Sequence, residues 1–240
     1  MSSIQLVHAT RFALVKQFLT THRLRVLVLF CSLLLPLLIV GKLADDISDH
    51  RVFPWDDGIL LFMHTHASPF RDSTMRAITR WGAPPLMLAM GAIGMGVLLW
   101  RKRRGDALFF FASVVGAGLL NLAAKAVFGR VRPDLWLSIA PETSASFPSG
   151  HAMGTMAMAA AVVVLCWPTR ARWFVLALAI VFVVSIGVSR LYLGVHFPSD
   201  VLAGWLSSLA WVSGLQQIRH ARWPFRAKEN QQANQSIKHG

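Results

Sequence analysis

Long apolar blocks alternate with short polar gaps over most of this chain. Blocks near 26–42, 84–100, 107–128, 151–167, 173–193 and 200–217 are each close to the length that crosses about 30 Å of hydrocarbon at about 1.5 Å per residue. The charged residues gather in the gaps. The blocks lack the strict apolar–polar alternation of membrane-spanning strands, and Gly116, Gly118, Gly154, Ala157 and Ala161 suit close helix contact. The pattern predicts an all-α, polytopic membrane helical bundle with six transmembrane helices. In the longest polar gap, 42–83, Trp55, Phe62, Phe70 and Trp81 predict two short interfacial helices broken at Ser68-Pro69.

Composition agrees, because 55% hydrophobic and only 15% charged residues leave too little polar sequence to coat a soluble fold. A net charge of +13 over 240 residues raises nucleic acid as a partner, but its distribution argues against one. Alternate gaps carry 4, 4, 2 and 5 of the 24 Lys and Arg, and the other 9 fall on the opposite side. That bias places both termini in the cytoplasm and makes the bilayer the expected partner. Asp45, Asp46, Asp49, Asp56, Asp57 and Asp72 all fall in the first outer gap.

Three segments follow. Residues 1–25 form a cytoplasmic N-terminal segment, as an amphipathic interfacial helix or a frayed tail. Residues 26–218 hold the six spans, and 219–240 form a cytoplasmic tail expected to be disordered. The first block lacks a small-x-small cleavage site and reads as an uncleaved anchor. Cys31 and Cys166 lie inside spans and read as packed thiols with no chemistry.

The chemistry concentrates in three clusters, all at outer ends of spans. In Pro148-Ser149-Gly150-His151, the start of a helix leaves backbone N–H groups unpaired and favours an anion. Ser149 is a candidate N-cap, Gly150 permits close backbone approach, and His151 faces whatever is bound there; a plain cap beside an interfacial histidine is the alternative. Lys125 and Arg132-Pro133 close the third block. Lysines at span ends commonly snorkel, but Arg132 presents a planar fork that grips two phosphate oxygens. Arg130 reads as a solvent or headgroup contact. In Ser189-Arg190-x5-His196-x3-Asp200, Gly194 is a helix stop and Pro198 a helix start, which puts His196 in a tight turn. Asp200 is then placed to accept from one ring nitrogen and leave the other as a lone-pair nucleophile. Spacing alone does not decide which histidine attacks. The loop 134–147 is placed to roof this site. His64-x-His66 and the scattered acids of the first outer gap form no compact ligand set, so neither a metal nor another cofactor is expected.

Lys-x6-Arg-Pro, Pro-Ser-Gly-His and Ser-Arg-x5-His-x3-Asp, in this order over residues 125–200, resemble the complete three-part signature of the type 2 phosphatidic acid phosphatase superfamily. The resemblance implies that Lys125, Arg132, Arg190, Ser149 and the backbone of Gly150 bind phosphate. It also implies that His196 is the nucleophile forming a phosphohistidine, oriented by Asp200, and that His151 protonates the leaving oxygen. An integral lipid phosphatase of a bacterial-type inner (plasma) membrane follows as an expectation, with its site on the periplasmic or extracellular face. Phosphatidylglycerol phosphate, phosphatidic acid and undecaprenyl diphosphate are the implied substrate classes. A lipid phosphotransferase using the same intermediate is the alternative within chemistry, and a non-catalytic anionic-lipid transporter the alternative outside it.

Overall fold

A computed structural model describes residues 26–51 and 53–238, with side chains as far as Arg219. The expected amphipathic segment 1–25 lies outside the described residues, as do the side chains of the expected tail. Among the described residues the regular structure is helical, with no strand. Helix α1 spans Val26–Ser48 and contains a π-helical turn, Phe30–Leu34, just before Pro36. Pro36 cannot donate to the carbonyl four residues back, and a widened turn absorbs that loss. Helices α2 (Pro54–Thr65) and α3 (Pro69–Arg80) occupy the polar gap 42–83. They part at the expected break, where Ser68 Oγ accepts from Arg71 N at 3.4 Å. Helices α4 (Pro84–Trp100), α5 (Arg104–Phe128), α6 (Gly150–Cys166), α7 (Arg172–Tyr192) and α8 (Pro198–Lys238) follow.

By length and hydropathy, α1, α5 and α7 can each cross a membrane, and α3 with α4, bent by 43°, brings the number of such spans among the described residues to four at most. The expected six exceeds this. Helices α4 and α6 have 17 residues each, and α8 interrupts its apolar run with Ser207, Ser208, Ser213 and Gly214. The reason is burial. Helix α6 packs against α5, α7 and α8, and α8 also packs against α1 and α5. A helix walled by protein can keep small polar residues if they find partners, as Ser208 Oγ does by donating to Met153 O at 2.7 Å. The core between these helices is built from Met87, Phe110, Ala117, Met153, Ala157 and Val212. Leu38, Ile93, Leu108, Leu119 and Trp173 instead face outward.

Two backbone features place the polar end of the bundle. Gly194, at φ 65°, ends α7 in the left-handed region, and Pro198 opens α8, as expected from their residue types. The turn between them is pinned by Trp136, whose Cζ2 would stand 2.5 Å from a Cβ at Gly194, so the loop 134–147 lies across the turn. His64 stacks on the same indole with centroids 4.3 Å apart. At Gly204, a Cβ would meet Ser149 O at 2.9 Å. The missing side chain lets α8 close against the start of α6.

Candidate active site

The three clusters meet. Lys125, near the C-terminal end of α5, donates to Ser144 Oγ at 2.8 Å and to Ala145 O at 2.7 Å. Arg132, on the extended stretch after α5, donates to Ser144 O at 2.7 Å, Val195 O at 2.5 Å and Glu142 Oε2 at 2.9 Å. Arg190, in the last turn of α7 and only 2% exposed, donates to Thr79 Oγ1 at 2.8 Å and to Glu142 Oε1. One carboxylate therefore bridges two signature guanidiniums. Burial works to raise the pKa of Glu142, but Arg190 and Arg132 outweigh it and hold the group below the usual carboxylate range. The loop expected to roof the site thus inserts an anion into it.

His196 is buried in the turn between α7 and α8. Its Nε2 lies 3.1 Å from Arg132 Nη1. On its other side Nδ1 is 3.6 Å from Asp200 Oδ2, too long for a hydrogen bond. Ser146 stands beside the gap, with Oγ 3.4 Å from Nδ1 and donating to Asp200 Oδ2 at 2.5 Å. Asp200 Oδ2 also accepts from Phe197 N at 2.9 Å. The histidine and carboxylate expected as a pair are adjacent, with a serine that spacing did not reveal. Burial depresses His196 to about 4, the nearby Arg190 and Arg132 acting in the same direction and Asp200 against them. The ring is neutral at physiological pH.

Ser149 occupies the N-cap position of α6, but its side chain makes no capping bond. Its Oγ is buried without a hydrogen-bond partner, as is Arg190 Nε. An unpaired buried polar group costs about 1–3 kcal/mol, so two of them in the signature residues mark a place built for another purpose than packing. A Cβ at Gly150 would stand 3.1 Å from Asn121 Oδ1, and Asn121 Nδ2 donates to Pro148 O at 3.0 Å. The glycine admits the amide that props up this turn. His151, in the first turn of α6, lies in the fields of Arg190, Glu142, His196 and Arg132. Among the described residues no three His, Cys, Asp or Glu side chains gather as a metal-ligand set.

Arg130 is not the solvent or headgroup contact its sequence position suggested. It donates to Asp200 Oδ1 at 2.6 Å, Ser199 Oγ at 2.7 Å and Asp56 Oδ2 at 3.0 Å. Neither Asp56 nor Glu142 has a local sequence signal that marks it as part of the site.

A cavity of about 890 Å³ runs between α4, α5 and α6 and reaches the site. Met87, Leu88, Phe111, Val115 and Leu122 line its apolar length, and Lys125, Glu142, Ser144, Gly150 and His151 line its polar end. From Phe111 to Lys125 it follows α5 for about 21 Å at about 1.5 Å per residue.

Comparison with known proteins adds a second line of observation. The sequence profile of the PAP2 superfamily matches residues 106–224. Phosphatidylglycerophosphatase B of Bacillus subtilis is 35% identical over 142 residues, 57% of this chain and 69% of that protein. Undecaprenyl-diphosphatase of Sulfolobus acidocaldarius is 33% identical over 124 residues, 50% of this chain but only 57% of that protein. The crystal structure of a transmembrane PAP2-type phosphatidylglycerolphosphate phosphatase from Bacillus subtilis superposes with a TM-score of 0.71 at 26% identity, covering 78% of this chain and 96% of that one.

Proposed function

This chain belongs to the PAP2 superfamily and is a phosphoric ester hydrolase, and on that premise we propose that it removes phosphate from a membrane lipid through a phosphohistidine on His196. The observation that carries the reading is that Lys125 and His151 line the polar end of an apolar cavity together with Glu142, which holds Arg132 and Arg190, with His196 beside Arg132. The headgroup phosphate sits among the three cations while the acyl or prenyl chain lies along α5. Phosphatidylglycerol phosphate, phosphatidic acid and undecaprenyl diphosphate fit this division. The relatives' names favour the first and last.

The steps follow from the chemistry of the groups. With its proton on Nδ1, toward Ser146 and Asp200, His196 presents a lone pair on Nε2. Nε2 forms a bond to phosphorus as the bond from phosphorus to the lipid oxygen breaks, and His151 gives its proton to that oxygen. Water then attacks the phosphohistidine, His151 takes the water proton, and the P–N bond breaks to release orthophosphate and restore the ring. Charge on the transferring group stays high throughout, so the fixed cations and the Ser149 hydroxyl lower the barrier with little reorganisation. No step calls on a metal. In the membrane we place six spans, α4, α6 and α8 included, with both termini cytoplasmic and the site on the periplasmic or extracellular face. The cation distribution supports that orientation.

The test is phosphate release from a panel of phospholipid and polyprenyl phosphates, by purified protein in detergent with EDTA present. His196→Ala is expected to abolish release while eluting as folded protein; near wild-type turnover rejects the nucleophile. Adding an acceptor lipid distinguishes hydrolysis from phosphotransfer by whether free phosphate or a new lipid phosphate accumulates.

A further inference from the structure

Two arginines bracket the His196–Asp200 pair. Arg132 reaches the ring from the phosphate side at Nε2, and Arg130 reaches the carboxylate from behind at Oδ1. Both Nη groups of Arg130 are themselves engaged. Its Nη1 serves Asp200 and Ser199, its Nη2 serves Asp56, and its guanidinium carbon lies 4.2 Å from the centroid of the Phe197 ring. A guanidinium held between two carboxylates and an aromatic face has both its Nη groups committed within the protein and not to substrate phosphate.

Asp56 comes from α2, in the first outer segment, and does two things at once. Its Oδ1 accepts from Ser199 N at 2.9 Å and its Oδ2 from Ser199 Oγ at 2.5 Å, so it caps the start of α8 from another helix. The same Oδ2 holds Arg130. Burial raises the Asp56 carboxyl above the usual range while Ser199 and Arg130 pull it down, so the carboxylate depends on these partners. Asp56 lies outside the residues matched by the family profile, and it bears on Asp200 through Ser199, its neighbour on α8, and through Arg130.

We propose that Arg130, anchored by Asp56, is a positioning residue for catalysis: it holds Asp200 so that Oδ2 faces His196 Nδ1, and so sets the tautomer that leaves Nε2 to attack. This rests on the phosphohistidine reading above. Arg130 acts through Asp200, never on the phosphate, so its loss should slow turnover without weakening anion binding. The contrast with Arg132 and Arg190 is the discriminating property, since their loss weakens both.

The experiment measures kcat, KM and the inhibition constant of orthophosphate for Arg130→Gln, Arg130→Lys and Asp56→Asn in detergent, with thermal midpoints alongside. Arg130→Gln is expected to lower kcat by about tenfold to a hundredfold, short of the roughly 10⁴-fold that follows complete loss of tautomer control in serine proteases. Its orthophosphate constant should move less than about threefold, a split that reports transition-state loss alone. Arg130→Lys, which keeps the charge on Asp200, should recover part of the lost turnover. Asp56→Asn keeps an acceptor for Ser199 and carries the test if Arg130→Gln does not fold; about a threefold to tenfold loss of kcat is expected. Wild-type kcat in Asp56→Asn and in the folded Arg130 variants, or a parallel loss of kcat and orthophosphate affinity, overturns the proposal. Absence of phosphate release by the wild-type protein across the lipid panel defeats the functional reading instead.

Discussion

Glu142 occupies the place that the proposed mechanism assigns to phosphate, between Arg132 and Arg190, and Glu142→Gln isolates that competition. The carboxylate bridges Arg132 and Arg190, with its side chain still 29% exposed. Hydrogen bonds to charged groups contribute about 1.5–3 kcal/mol each when well enclosed, and partial exposure discounts this for solvent screening. Glutamine keeps the shape and one neutral acceptor, so the change removes part of the interaction: about 1.4 kcal/mol, or tenfold in a binding constant. Orthophosphate should therefore inhibit Glu142→Gln about tenfold more strongly than wild type, with KM for the lipid phosphate falling in the same direction. The assay is release from a short-chain lipid phosphate in micelles against increasing orthophosphate. A companion readout is thermal. Without Glu142, Lys125, Arg132 and Arg190 share one site with less compensation, so the variant should melt lower without phosphate and regain the difference as phosphate is added. An unchanged or weaker orthophosphate constant refutes the competition and makes Glu142 a partner of bound phosphate.

Two further outcomes follow from the same geometry. Arg190→Lys should lower kcat/KM by about 10²–10³-fold in the release assay, because an ammonium cannot reproduce a planar fork reaching both Thr79 and the phosphate seat; retention of a third of wild-type efficiency contradicts this. The pKa of His196 lies below its ordinary 6.5, at about 4, so the neutral nucleophile is fully present above 6.5 and is lost only as pH falls toward 4. The acid limb of kcat/KM, corrected for the substrate phosphate's own ionisation, should lie near 4, and a limb near 6.5 contradicts the burial argument.

What the sequence revealed and what it hid divide by range. The breaks at Ser68-Pro69, Gly194 and Pro198 depend on local backbone preference, and all three stand where residue types put them. The signature residues converge because each lies at a span end, which hydropathy alone locates. Arg130, Asp56 and Glu142 escaped because their meaning is tertiary. Asp56 meets Ser199 across 143 positions, and no periodicity or spacing encodes such a contact. Arg130 was misjudged for a related reason: an arginine two residues before a signature arginine looks redundant until its partners are known. Length and hydropathy alone find fewer spans than the apolar blocks suggest, since α6 and α8 are buried by neighbouring helices and need not be uniformly apolar.

The distribution of counter-charge explains why one carboxylate can move and two cannot. Asp200 and Asp56 are enclosed: Asp200 accepts from Ser146, Phe197 and Arg130, and Asp56 from Ser199 and Arg130. Removing either from its place would strand a buried charge, a cost of several kcal/mol. Glu142 sits on a loop, keeps part of its surface in solvent, and among the described residues its carboxylate has hydrogen bonds only to Arg132 and Arg190, the groups a phosphate seeks. A dianionic phosphate offers those guanidiniums more than a carboxylate does, and water can receive the displaced side chain. On the proposed mechanism the enclosed carboxylates orient His196, and Glu142 neutralises the cation cradle between turnovers. Loop 134–147 therefore reaches the site in two ways: through Glu142, on the two guanidiniums proposed to hold substrate, and through Ser144, Ala145 and Ser146, whose bonds to Lys125, Arg132 and Asp200 do not depend on Glu142.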